Sequence, residues 1–522
     1  MSKRNSILTL VLLALPLSGA LGQDNSNPQS ESAAPQEANQ QTGNAPVPAF
    51  GTSAEGPTID NPPISGVDQP GLEPHAAPVS YLQPGLHFSE SADSNLENTL
   101  GTSAVHSVTR ALGSLELQRL WSHYDLALDY VGGVGYYSAN GLGFRDIQQL
   151  DIDQKITWKR GQVGIRDSFS YLPEGAFGGA YGANFSSLAG ALGGLPPGSG
   201  ISIEGTLGQV PRIMNMSLVD VTEYLSPKSS FTASGGYGFV HYTGDTGVQG
   251  INFLGSQEYS ANAGYNRIVG KHDQVALVYG YQKYDFSVSG TSFASHIVQL
   301  MWGHRISGRM DFIVGAGPEI TSIDSLQLPS IGQTVTVPPC QNFTGATGTV
   351  TECPANNVKV SVAGRASLRY KFPKTMLDLT YQRYTSSGSG FFAGAETDSV
   401  HLGASRSLSR VWTASVDLGY SHNKREVTLT GAQLQTCSNL LISCSGAQAN
   451  TFDYGYVGVA LHRQLGRAFH VYASYQFNEL SFDPSFCGYS ASGASLSPCN
   501  RMSQRHVGTI GLDWTPRPIR LD

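Results

Sequence analysis

The sequence predicts an all-β fold, an antiparallel transmembrane β-barrel of about 18 strands with about 16 as the next count, preceded by a disordered N-terminal extension. Three observations predict it. Apolar and polar residues alternate through strands of about ten to fifteen residues, short turns take turns with long loops, and the five tryptophans gather at one kind of connection.

The clearest strand is Asn357 to Lys371. Lys359, Ser361, Ala363, Arg365, Ser367, Arg369 and Lys371 are polar or small, whereas Val358, Val360, Val362, Gly364, Ala366, Leu368 and Tyr370 are apolar or small. Successive side chains of a strand point to opposite faces, so one face is cationic and the other suits lipid or a core. The same period runs through Val411 to Asn423, where Trp412, Ala414, Val416, Leu418 and Tyr420 oppose Thr413, Ser415, Asp417, Gly419 and Ser421, and through Phe469 to Asn478. Strands of soluble sheets average about five or six residues, and a bilayer-crossing strand needs about nine to eleven. The lengths favour the membrane. After the N-terminus no apolar run approaches the ~18 residues of a membrane helix. With 61 glycines, 24 tyrosines, 21 phenylalanines and 14% charged residues, the composition suits tight turns, aromatic girdles and an uncharged outer face. A net charge of −7 points to no nucleic-acid partner.

At the start of the chain, Lys3 and Arg4, the apolar run Ile7 to Leu17 and the site Ala20-Leu21-Gly22 read as a signal peptide over residues 1–22, cleaved before Gln23. No cysteine follows that site, which argues against a lipoprotein anchor. Residues 23–79 are rich in Pro, Gln, Asn, Ser and Ala without periodicity and are expected to form a disordered periplasmic extension. The barrel is placed at 80–515 and a tail at 516–522.

Short turns are predicted at Leu120 to His123, Lys159 to Gly161, Ser226 to Lys228, Gly270 to Asp273, Ser307 to Arg309, Phe372 to Lys374, Leu408 to Arg410 and Leu465 to Arg467. Longer connections fall near 172–210, 244–255, 323–356, 387–397, 425–450 and 481–503. Outer-membrane barrels keep short turns on the periplasmic side and long loops outside. Trp121, Trp158, Trp302, Trp412 and Trp514 all lie near a short turn or the end of the last strand, where they would form a periplasmic girdle. A strand at Ser80 to Ser89 makes the count even, as single-chain barrels require. The 172–210 loop is long enough either to enter the lumen as a constriction or to stay outside as a mobile loop.

The six cysteines form three local pairs, Cys340 with Cys353, Cys437 with Cys444 and Cys487 with Cys499, all in the long connections. In an exported chain such spacing reads as disulfides, and the absence of C-x-x-C or a nearby His pair speaks against a metal. No metal or other cofactor is expected. Nucleophile-elbow, zinc-helix and phosphate-loop motifs are missing, so no enzyme is expected; a rim enzyme would need a Ser or Asp beside His422 or His241. By alternation, Lys359, Arg365, Arg369, Asp378, Asp151, Asp153 and Lys155 face the lumen, with Asp129, Asp417 and Glu319 elsewhere. They serve either as a transverse field that selects solutes or as charge pairs that keep the interior soluble. Tyr472 is a candidate for a sugar-stacking track.

The entry segment Leu82-Gln83-Pro84-Gly85-Leu86-His87-Phe88-Ser89-Glu90-Ser91-Ala92-Asp93-Ser94-Asn95 resembles the first strand and D-x-N loop of the bacterial β-barrel porin 2 type linked to exopolysaccharide export. The resemblance implies an outer-membrane location and a role in polysaccharide passage. One departure is that Thr515 to Asp522 follow the terminal aromatic Trp514. Outer-membrane lipid, lipopolysaccharide and the barrel assembly machinery are the expected partners, with a saccharide as candidate solute. The expected function is passive passage of small hydrophilic solutes; the rival is a non-conducting barrel whose disulfide-stapled loops serve surface binding or adhesion.

Overall fold

The computed structural model describes residues 63–65, 80–96, 104–139, 143–173, 211–243, 247–248, 251–252, 255–286, 292–323, 341–345, 348–352, 357–388, 394–426, 449–484 and 500–521. All belong to the unit Asn44–Asp522; the unit Met1–Gly43 lies outside them.

The wall strands are β1 (Tyr81–Asp93), β2 (His106–Leu120), β3 (Tyr124–Tyr137), β4 (Gly143–Trp158), β5 (Gly161–Leu172), β6 (Arg212–Ser226), β7 (Ser229–Tyr242), β8 (Ser256–Ile268) and β9 (Asp273–Phe286). They continue as β10 (Ser292–Ser307), β11 (Met310–Ile323), β12 (Asn357–Lys371), β13 (Thr375–Ser386), β14 (Ala395–Ser407), β15 (Trp412–Arg425), β16 (Thr451–Leu465), β17 (Phe469–Phe482) and β18 (Met502–Trp514). Each pairs antiparallel with its sequence neighbours, and β1 pairs with β18 from Leu86↔Trp514 to Asp93↔Val507, closing the ring. The 19-stranded sheet is these eighteen plus the two-residue strand Ile519–Arg520. Wall strands run from 12 to 16 residues, long enough to cross a bilayer at a tilt.

Burial is inverted relative to a water-soluble sheet. Leu300 (67% exposed), Val360 (69%) and Ile510 (66%) stand on the outer face, while Gln282 (0%), Ser295 (0%) and Thr321 (1%) are buried inside. A continuous apolar outer belt around a polar interior is stable only against lipid, because water would expose the belt and hydrocarbon would strand the interior groups. Antiparallel strands with period-two alternation and a closed edge satisfy every requirement that hydrocarbon places on a backbone.

The eight predicted short turns are all present, at 121–123, 159–160, 227–228, 269–272, 308–309, 372–374, 408–411 and 466–468. In the last of these Gly466 takes φ 78°, a conformation L side chains rarely adopt. All five tryptophans lie at this end of the wall, and two are capped by guanidinium groups, Arg119 at 5.6 Å from the Trp121 ring and Arg463 at 5.2 Å from that of Trp412. The residues after Trp514 also join the wall. Arg520 and Ile519 pair with Tyr81 and Leu82, the Leu521 amide donates to the Ser80 carbonyl at 3.0 Å, and Arg119 donates to the Leu521 carbonyl at 3.0 Å. The six cysteines and most of the 172–210 loop lie outside the described residues.

Val416 faces outward on β15, beside the inward Asp417. Val416→Arg is expected to cost about 2–4 kcal/mol in urea unfolding from vesicles, because it places a charge in the lipid-facing belt. An unchanged unfolding midpoint would remove this face from the hydrocarbon.

Candidate functional site

The inner wall carries two charged rows. On β12, Lys359, Arg365 and Arg369 share one face, and Asp378 of β13 stands directly opposite Arg369 in the register. On the other row Glu116 of β2 pairs with Asp129 of β3, which pairs with Asp151 of β4, with Asp153 and Lys155 following on the same face. β3 and β12 are nine positions apart in a ring of eighteen, so an acidic row and a cationic strip face one another across the lumen.

Most charges are tied sideways to adjacent strands. Arg369 donates from Nη2 and Nε to Asp311 Oδ2 at 2.7 and 3.1 Å. Arg166 on β5 lies between Asp153, at 3.2 Å, and Asp220, at 2.7 Å. Asp151 accepts from Ser168 Oγ at 2.5 Å and from Gln149 Nε2 at 2.7 Å. Asp417 is held by His401 Nε2 at 2.8 Å. Such ties fix the carboxylates and guanidinium groups in place, and a filter needs its charges fixed.

A further feature narrows the lumen at the long-loop end. Pairing between β11 and β12 continues up to Ile323↔Asn357, but pairing between β12 and β13 stops at Gly364↔Arg383. Beyond that point the β13–β14 tip leans inward. The Thr385 amide donates to Glu319 Oε1 on β11 at 3.2 Å, and the Thr385 and Thr321 hydroxyls meet at 3.4 Å. Gly394, at φ 88°, lies so close to the Phe293 ring of β10 that a Cβ there would sit 2.7 Å from it.

Charged groups replace the missing backbone ladder. Lys359 Nζ reaches Glu396 at 2.7 Å and Glu426 at 2.9 Å, and Arg383 bonds both Glu396 and Asp398. Burial pushes the Glu426 carboxyl above its usual range, against the opposing pull of Lys359.

Glu319, expected as a lumen charge, is thus an anchor. It is 1% exposed and also accepts from Ser295 Oγ at 2.6 Å. Sequence reading missed Thr385 as its neighbour, and the approach of Gly394 to Phe293. The signal was the short, glycine-rich run Ser386-Ser-Gly-Ser-Gly-Phe-Phe-Ala-Gly394-Ala395, too small and apolar for an exterior loop. Tyr472 is on the inner face but only 3% exposed and stacks on His462 at 5.7 Å, leaving little ring surface for a sugar. His422 does have an acidic neighbour, Asp453 at 2.7 Å, which also accepts from Tyr420 at 2.8 Å; no hydroxyl nucleophile bonds His422 among the described residues.

Glu319→Ala is expected to release the tip, with amide exchange at Thr385 rising and stability falling by about 1.5–3 kcal/mol, the range for a buried hydrogen bond to a charged group. Glu319→Gln, which keeps an acceptor, should retain most of the protection. Equal exchange in all three proteins would show that Glu319 does not hold the tip.

A scan against protein-family models and a search of curated proteins returned no match. Among solved structures, the chain is similar to Pseudomonas aeruginosa OccK2 (OpdF) at 10% identity and TM-score 0.37, covering 83% of this chain and 98% of that one. Acinetobacter baumannii OccAB3 aligns at 8% identity and TM-score 0.39 over 84% and 99%. The E. coli ferric-catecholate import receptor Fiu aligns at 8% and 0.37 over 83% and 81%. At these TM-scores the likenesses carry nothing about solute or mechanism.

Proposed function

We propose that the chain is an outer-membrane channel of the porin kind, passing small hydrophilic solutes down their gradients, with its short turns periplasmic and its long connections outside. The observation that carries this is the closed eighteen-strand ring with a charged, hydrogen-bonded inner wall. Barrels of about 16–18 strands are wide enough to leave an aqueous passage, whereas about eight strands fill their own interior with side chains. The opposed rows, Arg365 and Arg369 on β12 and Glu116, Asp129 and Asp151 across from them, would set a transverse field that orients a dipolar or charged solute. A saccharide is the finer candidate, resting on the resemblance of the Leu82 to Asn95 segment to exopolysaccharide-linked porins.

Refolded mature protein in planar bilayers should give stable current steps that scale with salt. Replacing the cations, Arg365→Glu with Arg369→Glu, should move the reversal potential toward cation selectivity. A conducting barrel with an unchanged reversal potential would remove both arginines from the filter. A folded, heat-modifiable barrel that stays silent would sink the channel and leave surface binding through the exterior loops as the reading.

A further inference from the structure

Pro63–Ser65, well ahead of β1, sits against the lumenal wall. The Ser65 amide donates to Asn266 Oδ1 at 2.9 Å, Asn266 Nδ2 donates in turn to Ser65 Oγ, and Ser65 Oγ lies 2.6 Å from Thr232 Oγ1. Thr232 Oγ1 also donates to the Ser65 carbonyl at 3.2 Å. Asn266 and Thr232 are on the inner face and almost fully buried. Ile64 packs on an apolar patch of Ala276, Val278, Met301 and Ile313.

That patch is one of several buried apolar clusters on the inner wall, another being Leu112, Val131, Ile147 and Val507, and it is the one that Ile64 packs against. An apolar patch facing water is unfavourable unless something covers it. The wall is also shaped for the segment. A Cβ at Gly264 would overlap Ser65, and one at Gly303 would lie 3.1 Å from Ile64 Cγ2, so glycine occurs where the segment approaches.

Charge is matched as well. A cavity of about 540 Å3 at the neighbouring short turns is lined by Lys159, Arg160 and Lys228 together with Tyr224 and Asn266, the last shared with Ser65. Residues 44–79 contain Glu55, Asp60, Asp68 and Glu73 and neither lysine nor arginine.

We propose that the inner wall of β7 to β11 beside the short turns is a docking site for the chain's own N-terminal extension, seated by Ile64 and Ser65 and steered by Lys159, Arg160 and Lys228. The polar clamp fixes register through backbone and side chain of one serine. The apolar patch supplies the burial, and the basic turns attract the acidic flanks.

The test is photo-crosslinking in the refolded mature chain, with a photoreactive residue at position 64. Cross-links should fall on peptides holding residues 276 to 313. Gly303→Leu, which fills the space of Ile64, should cut the yield at least fivefold. Arg160→Glu with Lys228→Glu should lower it severalfold at low salt and less at high salt, since screening weakens exposed charges. Thr232→Val with Asn266→Ala serves where Gly303→Leu does not fold, as judged by heat-modifiable migration. Cross-links to lipid or scattered round the wall, or a yield unchanged in folded variants, overturn the docking. A barrel silent in bilayers yet cross-linked at these strands sinks the channel reading and leaves the docking standing.

Discussion

Hydrocarbon offers no hydrogen bonds, so every peptide group in the wall must find its partner in another strand, and the sheet must close. The β1–β18 seam is where the ring closes, between the two strands farthest apart in sequence. Eight residue pairs join them, and Ile519–Arg520 extends the closure below Trp514 by pairing with Leu82 and Tyr81. At the other end of the seam Arg505 Nε donates to both carboxylate oxygens of Asp93 at 3.0 and 2.9 Å, and both residues are buried. A buried bidentate pair of this kind adds little net stability over an apolar pair, but its geometry tolerates only one register. It sits where an error of register would turn every side chain of β1 to the wrong face.

Closure determines what is inside and outside, and alternation then assigns each residue. That is why the wall was legible in the sequence. The Val358, Val360 and Val362 row could only face lipid once Lys359 and Arg365 had to avoid it, and all eight short turns sit where Gly, Pro, Ser and charged residues interrupt the pattern. The tryptophans were legible for a separate reason, since an indole prefers the boundary of the bilayer whatever strand carries it.

What escaped the pattern is curvature. Period two says which way a side chain points relative to its own strand, and says nothing of a strand leaving the wall. Thr385 has the outward parity of β13, in register with Glu396, yet it meets Glu319 and Thr321 inside because the strand itself has turned. The lateral pairing of the charges was hidden for a related reason. Arg369 and Asp311 are 58 residues apart, and only the register of β11 on β12 brings them side by side. Pro63–Ser65 escaped because a segment without periodicity was read from its composition, while the information about its seat lies in the glycines and apolar residues of β8 to β11.

Both intrusions stand on the same side of the ring, Ile64 and Ser65 on β7 to β11 and the β13–β14 tip on β10 and β11. The two are held by different chemistry for a physical reason. At the long-loop end the intruding piece is wall strand that has forfeited its ladder with β12, so its peptide groups and the β12 edge must be compensated by strong acceptors and donors, which Glu319, Lys359 and Glu396 supply. At the short-turn end the intruder belongs to no ladder, so entering costs it the entropy of ordering but no strand hydrogen bonds. Neutral hydrogen bonds from one serine and the covering of four apolar side chains suffice there. A tie built from neutral bonds and a small apolar contact is worth less than one built from several bonds to ionisable groups, so Pro63–Ser65 is held less tightly than the β13–β14 tip, which remains part of the barrel.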